Sequence, residues 1–125
     1  MKMEPSFHLS VGAKNIDESI AFFVKLLGAK VLHRDPSGYV NIDLFGSQIT
    51  LKHNPDISPD LPDFHFGVNL DLESFEELAK RALNQGRQFV HMEPEVWDSG
   101  TPLERKKMYL KCPTGYLVEL KGYKS

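Results

Sequence analysis

The chain has 125 residues and a mass of 14.2 kDa, a length that accommodates one compact domain and excludes two of full size. Hydrophobic residues at 41% and charged residues at 26% are those of an ordinary globular chain and exclude a collagen-like, coiled-coil or disordered one. A formal charge of −2 leaves no basic excess to neutralise phosphates, so nucleic acid is not an expected partner.

The first strand is read over Ser6 to Val11, where Phe7, Leu9 and Val11 alternate with His8 and Ser10. Asn15-Ile16-Asp17-Glu18 has the pattern of a helix start, a capping side chain with glutamate three positions on. Ile20, Phe23, Val24 and Leu27 then recur at helical spacing until Gly28 stops them. Strand character returns over Ala29 to Arg34, Tyr39 to Phe45 and Gln48 to His53, with turns at Gly38 and Gly46. The stretch Asn54 to Asp63 holds three prolines and three aspartates and reads as a linker. Beyond it Phe64 to Leu70 reads as a strand. Asp71 is placed to cap a second helix, with Phe75, Leu78, Ala79, Ala82 and Leu83 on one stripe and Gly86 at its end. Arg87 to His91, Lys107 to Lys111 and Tyr116 to Lys121 complete the strands, and Glu93 to Arg105, with Pro94, Trp97, Gly100 and Pro102, reads as a long connection.

The longest apolar run, Ile20 to Val24, is five residues, too short to span a bilayer, so no membrane partner is expected. Met1-Lys2-Met3-Glu4-Pro5 lacks the features of a secretory signal, and the single cysteine, Cys112, allows no intrachain disulfide; both point to a cytoplasmic protein.

The order β-α-β-β-β occurs twice, and Phe7-His8-Leu9-Ser10-Val11 echoes Phe64-His65-Phe66-Gly67-Val68. This repetition reads as an internal duplication, with module one over about residues 6–53, the linker at 54–63 and module two over about 64–121, all within one domain, 1–125. Alternation along the strands puts His8 and Ser10 on the face opposite Phe7, Leu9 and Val11. It puts His65 with Gly67 and Asn69, and Glu119 with Leu117 and Lys121. Two histidines and a carboxylate on the polar side of a curved sheet suit Fe(II), Mn(II), Co(II), Ni(II) or Zn(II) and leave positions open for water or substrate. Alternation alone equally allows packed histidines and a solvated glutamate. Gln48, Thr50 and Lys52 share a face in module one, and Lys52 and Lys121 read either as pocket groups or as rim charges. His33, His53 and His91 have no partner at ligand spacing, and Cys112 reads as a turn residue.

The paired modules, the helix beginning Asn15-Ile16-Asp17-Glu18-Ser19-Ile20-Ala21-Phe22-Phe23 and running to Leu27-Gly28, and the terminal Pro113-Thr114-Gly115-Tyr116-Leu117-Val118-Glu119-Leu120 resemble the vicinal oxygen chelate superfamily. That superfamily includes glyoxalase I, bleomycin-resistance proteins, fosfomycin-resistance proteins and extradiol dioxygenases, and the resemblance covers about Ser6 to Lys121. It implies an α+β fold of two tandem β-α-β-β-β modules forming a curved mixed sheet around a central cavity. Its ligand positions fall on His8, Thr50, His65 and Glu119. Thr50 is a poor ligand, which separates the chain from the four-ligand glyoxalase I pattern and leaves the triad His8, His65 and Glu119, similar to extradiol dioxygenases and fosfomycin thiol transferases. Cys112 stands where the superfamily often has an aspartate. Tyr109 matches a tyrosine with which fosfomycin transferases contact their phosphonate, and Ser10 matches their substrate-polarising threonine. The resemblance therefore implies a homodimeric enzyme binding one divalent metal, with Tyr109, Lys52 and Gln48 orienting a small oxygen-chelating substrate, and a dioxygenase-like reaction. The alternatives are a metal-dependent lyase or thiol transferase of the glyoxalase or fosfomycin-resistance type, and a metal-free small-molecule-binding protein of the bleomycin-resistance type.

Overall fold

The computed structural model describes residues 5–124 and resolves the chain into two compact units. The first ends at Ser58 and the second begins at Pro59, inside the stretch read as a linker. In the first unit, β1 (His8–Ala13) leads into α1 (Ile16–Ala21), which continues through a π-helical turn at Phe22–Leu26; β2 (Lys30–Arg34), β3 (Tyr39–Leu44) and β4 (Ser47–His53) follow. The second unit holds β5 (Phe66–Asp71), α2 (Leu72–Gln85), a short 3-10 turn at Arg87–Phe89, β6 (Val90–Trp97), β7 (Arg105–Lys111) and β8 (Leu117–Tyr123). Each unit is one four-stranded mixed sheet, in the orders β1-β4-β3-β2 and β5-β8-β7-β6. In each, the first and last strands pair in parallel and the other pairs are antiparallel. The α+β class and the repeated β-α-β-β-β order are thus those read from the sequence.

Both helix starts are fixed by the side chains expected to cap them. Asn15 Oδ1 accepts from the Glu18 amide at 2.9 Å, and Asp71 Oδ1 accepts from the Ser74 amide at 2.7 Å. The first helix departs from the expected apolar face of Ile20, Phe23, Val24 and Leu27. Ser19, Phe22, Phe23, Leu26 and Leu27 are the buried set. That set is itself spaced three and four apart, and Phe22 and Phe23 meet edge to face with ring centroids 5.0 Å apart. The π turn occurs where these aromatic rings pack.

The long connection expected from Glu93 to Arg105 is shorter than the sequence suggested. Strand β6 runs through Trp97, and only residues 98–104 link it to β7. Proline argued against a strand there because it cannot donate to a ladder. Pro94 is accommodated because β6 is an outer strand and its register against β7 shifts between Met92 and Glu95. Likewise Arg87–Phe89 forms a 3-10 turn instead of the start of a strand.

Helix α2 lies so close to β8 that a Cβ at Gly122 would overlap the side chain of Phe75, itself fully buried. Gly122→Ala is therefore expected to lower the free energy of urea unfolding by about 1–3 kcal/mol. Gly12→Ala, whose Cβ comes nearest to the Ile57 side chain at its flexible Cδ1 end, 3.0 Å away, is expected to cost clearly less. Equal losses in the two variants would reject close packing of α2 on β8.

Candidate functional site

In the first unit, hydrogen-bonded pairing builds one polar face in register. His8 stands opposite Gln48, Ser10 opposite Thr50, and Gly12 opposite Lys52. Gln48, Thr50 and Lys52 stand in turn opposite Asp43, Asn41 and Tyr39. These residues, with the exception of Gly12 and Asp43, line one open depression, Lys52 among them. Thr50 is buried, and its hydroxyl donates to Asn41 Oδ1 at 2.7 Å. The hydroxyl is thereby committed within the sheet.

The second unit carries the stronger electrostatics. Glu119, central on β8, has a side chain only 6% exposed, which for a carboxylate demands compensating partners. Three groups supply it: His65 Nε2 at 3.3 Å from Oε1, Lys107 Nζ at 3.5 Å from Oε2 and Lys121 Nζ at 3.8 Å from Oε1. His65, one residue ahead of β5, also meets the Tyr109 ring edge to face at 5.5 Å. Tyr109 stands opposite Glu119 in the ladder, and burial, aided by its contact with the Glu119 carboxylate, holds the phenol above its ordinary value. Lys107 Nζ sits 4.0 Å from the centre of the Trp97 ring, so Trp97 props a cation in place. Gly67, opposite Glu119 on β5, has no room for a side chain, since a Cβ would overlap the Glu119 carbonyl.

The structure thus brings His65, Glu119 and Tyr109 together in the second unit, and His8, Gln48 and Lys52 onto one face of the first. Among the described residues no group of three or more His, Cys, Asp or Glu side chains stands ready to hold a metal. His65 and Glu119 nevertheless fit one as a pair, because an imidazole nitrogen and a carboxylate oxygen at 3.3 Å can converge on a divalent cation. Lys107 escaped the sequence reading, although its position two residues before Tyr109 puts it on the same face. Lys121 Nζ lies 3.8 Å from the buried carboxylate, its side chain partly exposed. His33 is exposed on the outer strand β2, with Asp35 Oδ1 3.5 Å from its Nε2. Cys112 is buried in the turn before β8, and burial pushes its thiol up, the wrong direction for a nucleophile.

The model of the Glyoxalase/Bleomycin resistance protein/Dioxygenase superfamily matches residues 6–120. A glyoxalase/bleomycin resistance protein/dioxygenase from Alicyclobacillus acidocaldarius is 28% identical, with 95% of this chain and 91% of that one covered and a TM-score of 0.80. The fosfomycin resistance protein FosX from Listeria monocytogenes shares the fold at 17% identity and a TM-score of 0.76, over 97% of this chain and 94% of that one. A glyoxalase/dioxygenase from Nostoc punctiforme does so at 16% identity and a TM-score of 0.74, over 95% and 90%.

If the buried carboxylate and Lys107 depend on each other, their removal is not additive. In a double-mutant cycle of Glu119→Gln and Lys107→Met, urea unfolding is expected to give a coupling of about 1–2 kcal/mol. Additive losses within a few tenths of a kcal/mol would show that the pair does not interact.

Proposed function

The chain belongs to the Glyoxalase/Bleomycin resistance protein/Dioxygenase superfamily, and from that premise we propose that it is a metal-dependent enzyme acting on a small substrate that chelates through two neighbouring oxygens. The observation that carries this reading is the approach of His65 Nε2 to Glu119 Oε1, 3.3 Å, on a largely buried carboxylate. His65 and Glu119, with His8 from the equivalent position of the first module, are the proposed ligands, and the modules act as one domain. A divalent ion held there supplies Lewis acidity and a template for the two substrate oxygens. The chain's own residues do the rest. The Tyr109 phenol, kept protonated at neutral pH, stands beside Glu119 to meet a substrate oxygen; Gln48 and Lys52 orient the remainder of the molecule.

Among the reactions of the superfamily, we favour dioxygenation. With the Thr50 hydroxyl engaged by Asn41, three protein ligands leave room for both a bidentate substrate and a second small reactant. Tyr109 beside the proposed ligands supports a second reading, a lyase or thiol transferase acting on an epoxide or α-keto aldehyde. We propose a cytoplasmic homodimer as the working form.

Calorimetry with Mn(II), Fe(II), Co(II) or Ni(II) is expected to give one ion per proposed site, and Glu119→Gln is expected to weaken it by about tenfold or more. Unchanged affinity in that variant would remove Glu119 from the ligand set. Protein loaded anaerobically with Fe(II) is expected to open the ring of at least one catechol on admission of oxygen, read from the visible absorbance of the product. Turnover of a thiol with an epoxide or α-keto aldehyde by the Mn(II) or Ni(II) form, with every catechol inert, would replace the dioxygenase by the second reading. Light scattering is expected to report twice the 14.2 kDa chain mass.

A further inference from the structure

At one end of the second sheet, the segment leading into β5 folds against the turn that joins β7 to β8. Pro59 sits so close to Gly115 that a Cβ there would come within 2.8 Å of the Pro59 Cγ, and Gly115 has a φ of 114°, a conformation that suits glycine. The rings of Pro59 and Pro62 stiffen this segment. Phe64, at its end, packs against Phe66 and Tyr116 with ring centroids 6.2 and 6.0 Å away. Between this fixed wall and the strand ends lies a cavity of about 380 Å³, within the size range of small-molecule sites. Its apolar side is formed by Leu61, which is 53% exposed, with Phe64 and Leu117, both half-buried. Its polar side holds Asp60, His91 and Lys111, all exposed. None of these three takes part in an ion pair or side-chain hydrogen bond among the described residues. Asp60 and Lys111 thus bring opposite charges to one cavity without pairing with each other. The lining includes neither His65 nor Tyr109 nor Glu119.

We propose that this cavity is a second binding site, for a free α-amino acid with an apolar side chain. The ligand's carboxylate meets Lys111 and His91, its ammonium meets Asp60, and its side chain covers Leu61, Phe64 and Leu117. A zwitterion is the ligand whose charges match the lining: a lone anion meets repulsion from Asp60, a lone cation meets it from Lys111, and an uncharged apolar molecule leaves both without a partner. Covering the exposed part of Leu61 adds the hydrophobic share of the affinity. The site goes beyond the metal-dependent reading and does not rest on it.

The test is an amide chemical-shift titration of the nitrogen-labelled full chain, stripped of metal by a chelator, with L-phenylalanine and L-leucine. Both are expected to give saturable shifts centred on Leu61, Lys111 and Leu117. N-acetyl-L-phenylalanine, which lacks the ammonium, L-phenylalaninamide, which lacks the carboxylate, and glycine, which lacks the side chain, are each expected to bind about three- to tenfold more weakly, the effect of one partly exposed contact. Lys111→Gln is expected to weaken phenylalanine by the same factor and to leave phenylalaninamide unchanged. Asp60→Asn is expected to weaken phenylalanine likewise and not to weaken the N-acetyl derivative. Both replaced side chains are exposed, so the variants are expected to keep the parent's urea midpoint, which shows that they fold. Absence of saturable shifts at the cavity with either amino acid up to tens of millimolar would overturn the site. So would N-acetyl-phenylalanine or phenylalaninamide binding as tightly as phenylalanine, or losses in the two variants that do not follow the ligand's charges. The metal reading stands or falls separately, because no metal is present in the titration.

Discussion

A carboxylate with 6% of its side chain exposed is the constraint around which the second unit is organised. Removing such a charge from water costs several kcal/mol unless partners compensate it, and those available to Glu119 come from separate places in the chain: His65 ahead of β5, Lys107 on β7 and Lys121 on β8 itself. The parallel pairing of β5 with β8 and the antiparallel pairing of β7 with β8 are what bring them to one point. Gly67 takes part without a side chain, because the backbone there approaches β8 too closely for a Cβ. A one-residue slip of β8 would send the carboxylate to the face where Phe75 packs and place Val118 or Leu120 among the cations.

Much of this was legible in the sequence, for identifiable reasons. Strand alternation is a strict period of two, so the shared face of His8 and Ser10, and that of Glu119 and Lys121, followed from counting. Caps are local, and Asn15 and Asp71 act within three residues of their own positions. What escaped was long-range or compensatory. The burial of Ser19, Phe22 and Leu26 in place of Ile20 and Val24 depends on a π turn that no spacing rule anticipates. Pro94 concealed the second half of β6, since its tolerance depends on β6 being an outer strand, a fact of topology. Lys107 lies in a run of three basic residues, Arg105-Lys106-Lys107, and its pairing with Lys121 across the ladder sets it apart from the other two.

The two modules also show how one backbone plan carries different chemistry. In the first, the central row reads Ser10, Thr50 and Asn41, joined by a neutral hydroxyl-to-amide hydrogen bond. In the second, the equivalent row reads Gly67, Glu119 and Tyr109, with a buried charge at its centre. The neutral row satisfies itself within the sheet and leaves its histidine, His8, exposed beside it. The charged row recruits its histidine and two lysines. Polarity has been concentrated in one copy of the repeat and relaxed in the other.

The irregularities of the outer strands bear on how the protein behaves when crowded. Both β2 and β6 end their sheets, and an unpaired strand edge is a template on which other chains can add. β2 is exposed along its whole length and carries Val31 and Leu32, yet its register shifts between Val31 and His33. β6 carries exposed Val96 and Trp97, yet Pro94 interrupts its row of donors and its register shifts twice. Neither edge offers a straight run of amides and carbonyls to a neighbour. The same kinks that obscured β6 in the sequence thus blunt two of the four outer strands of these sheets, β2 and β6, against strand addition at high concentration.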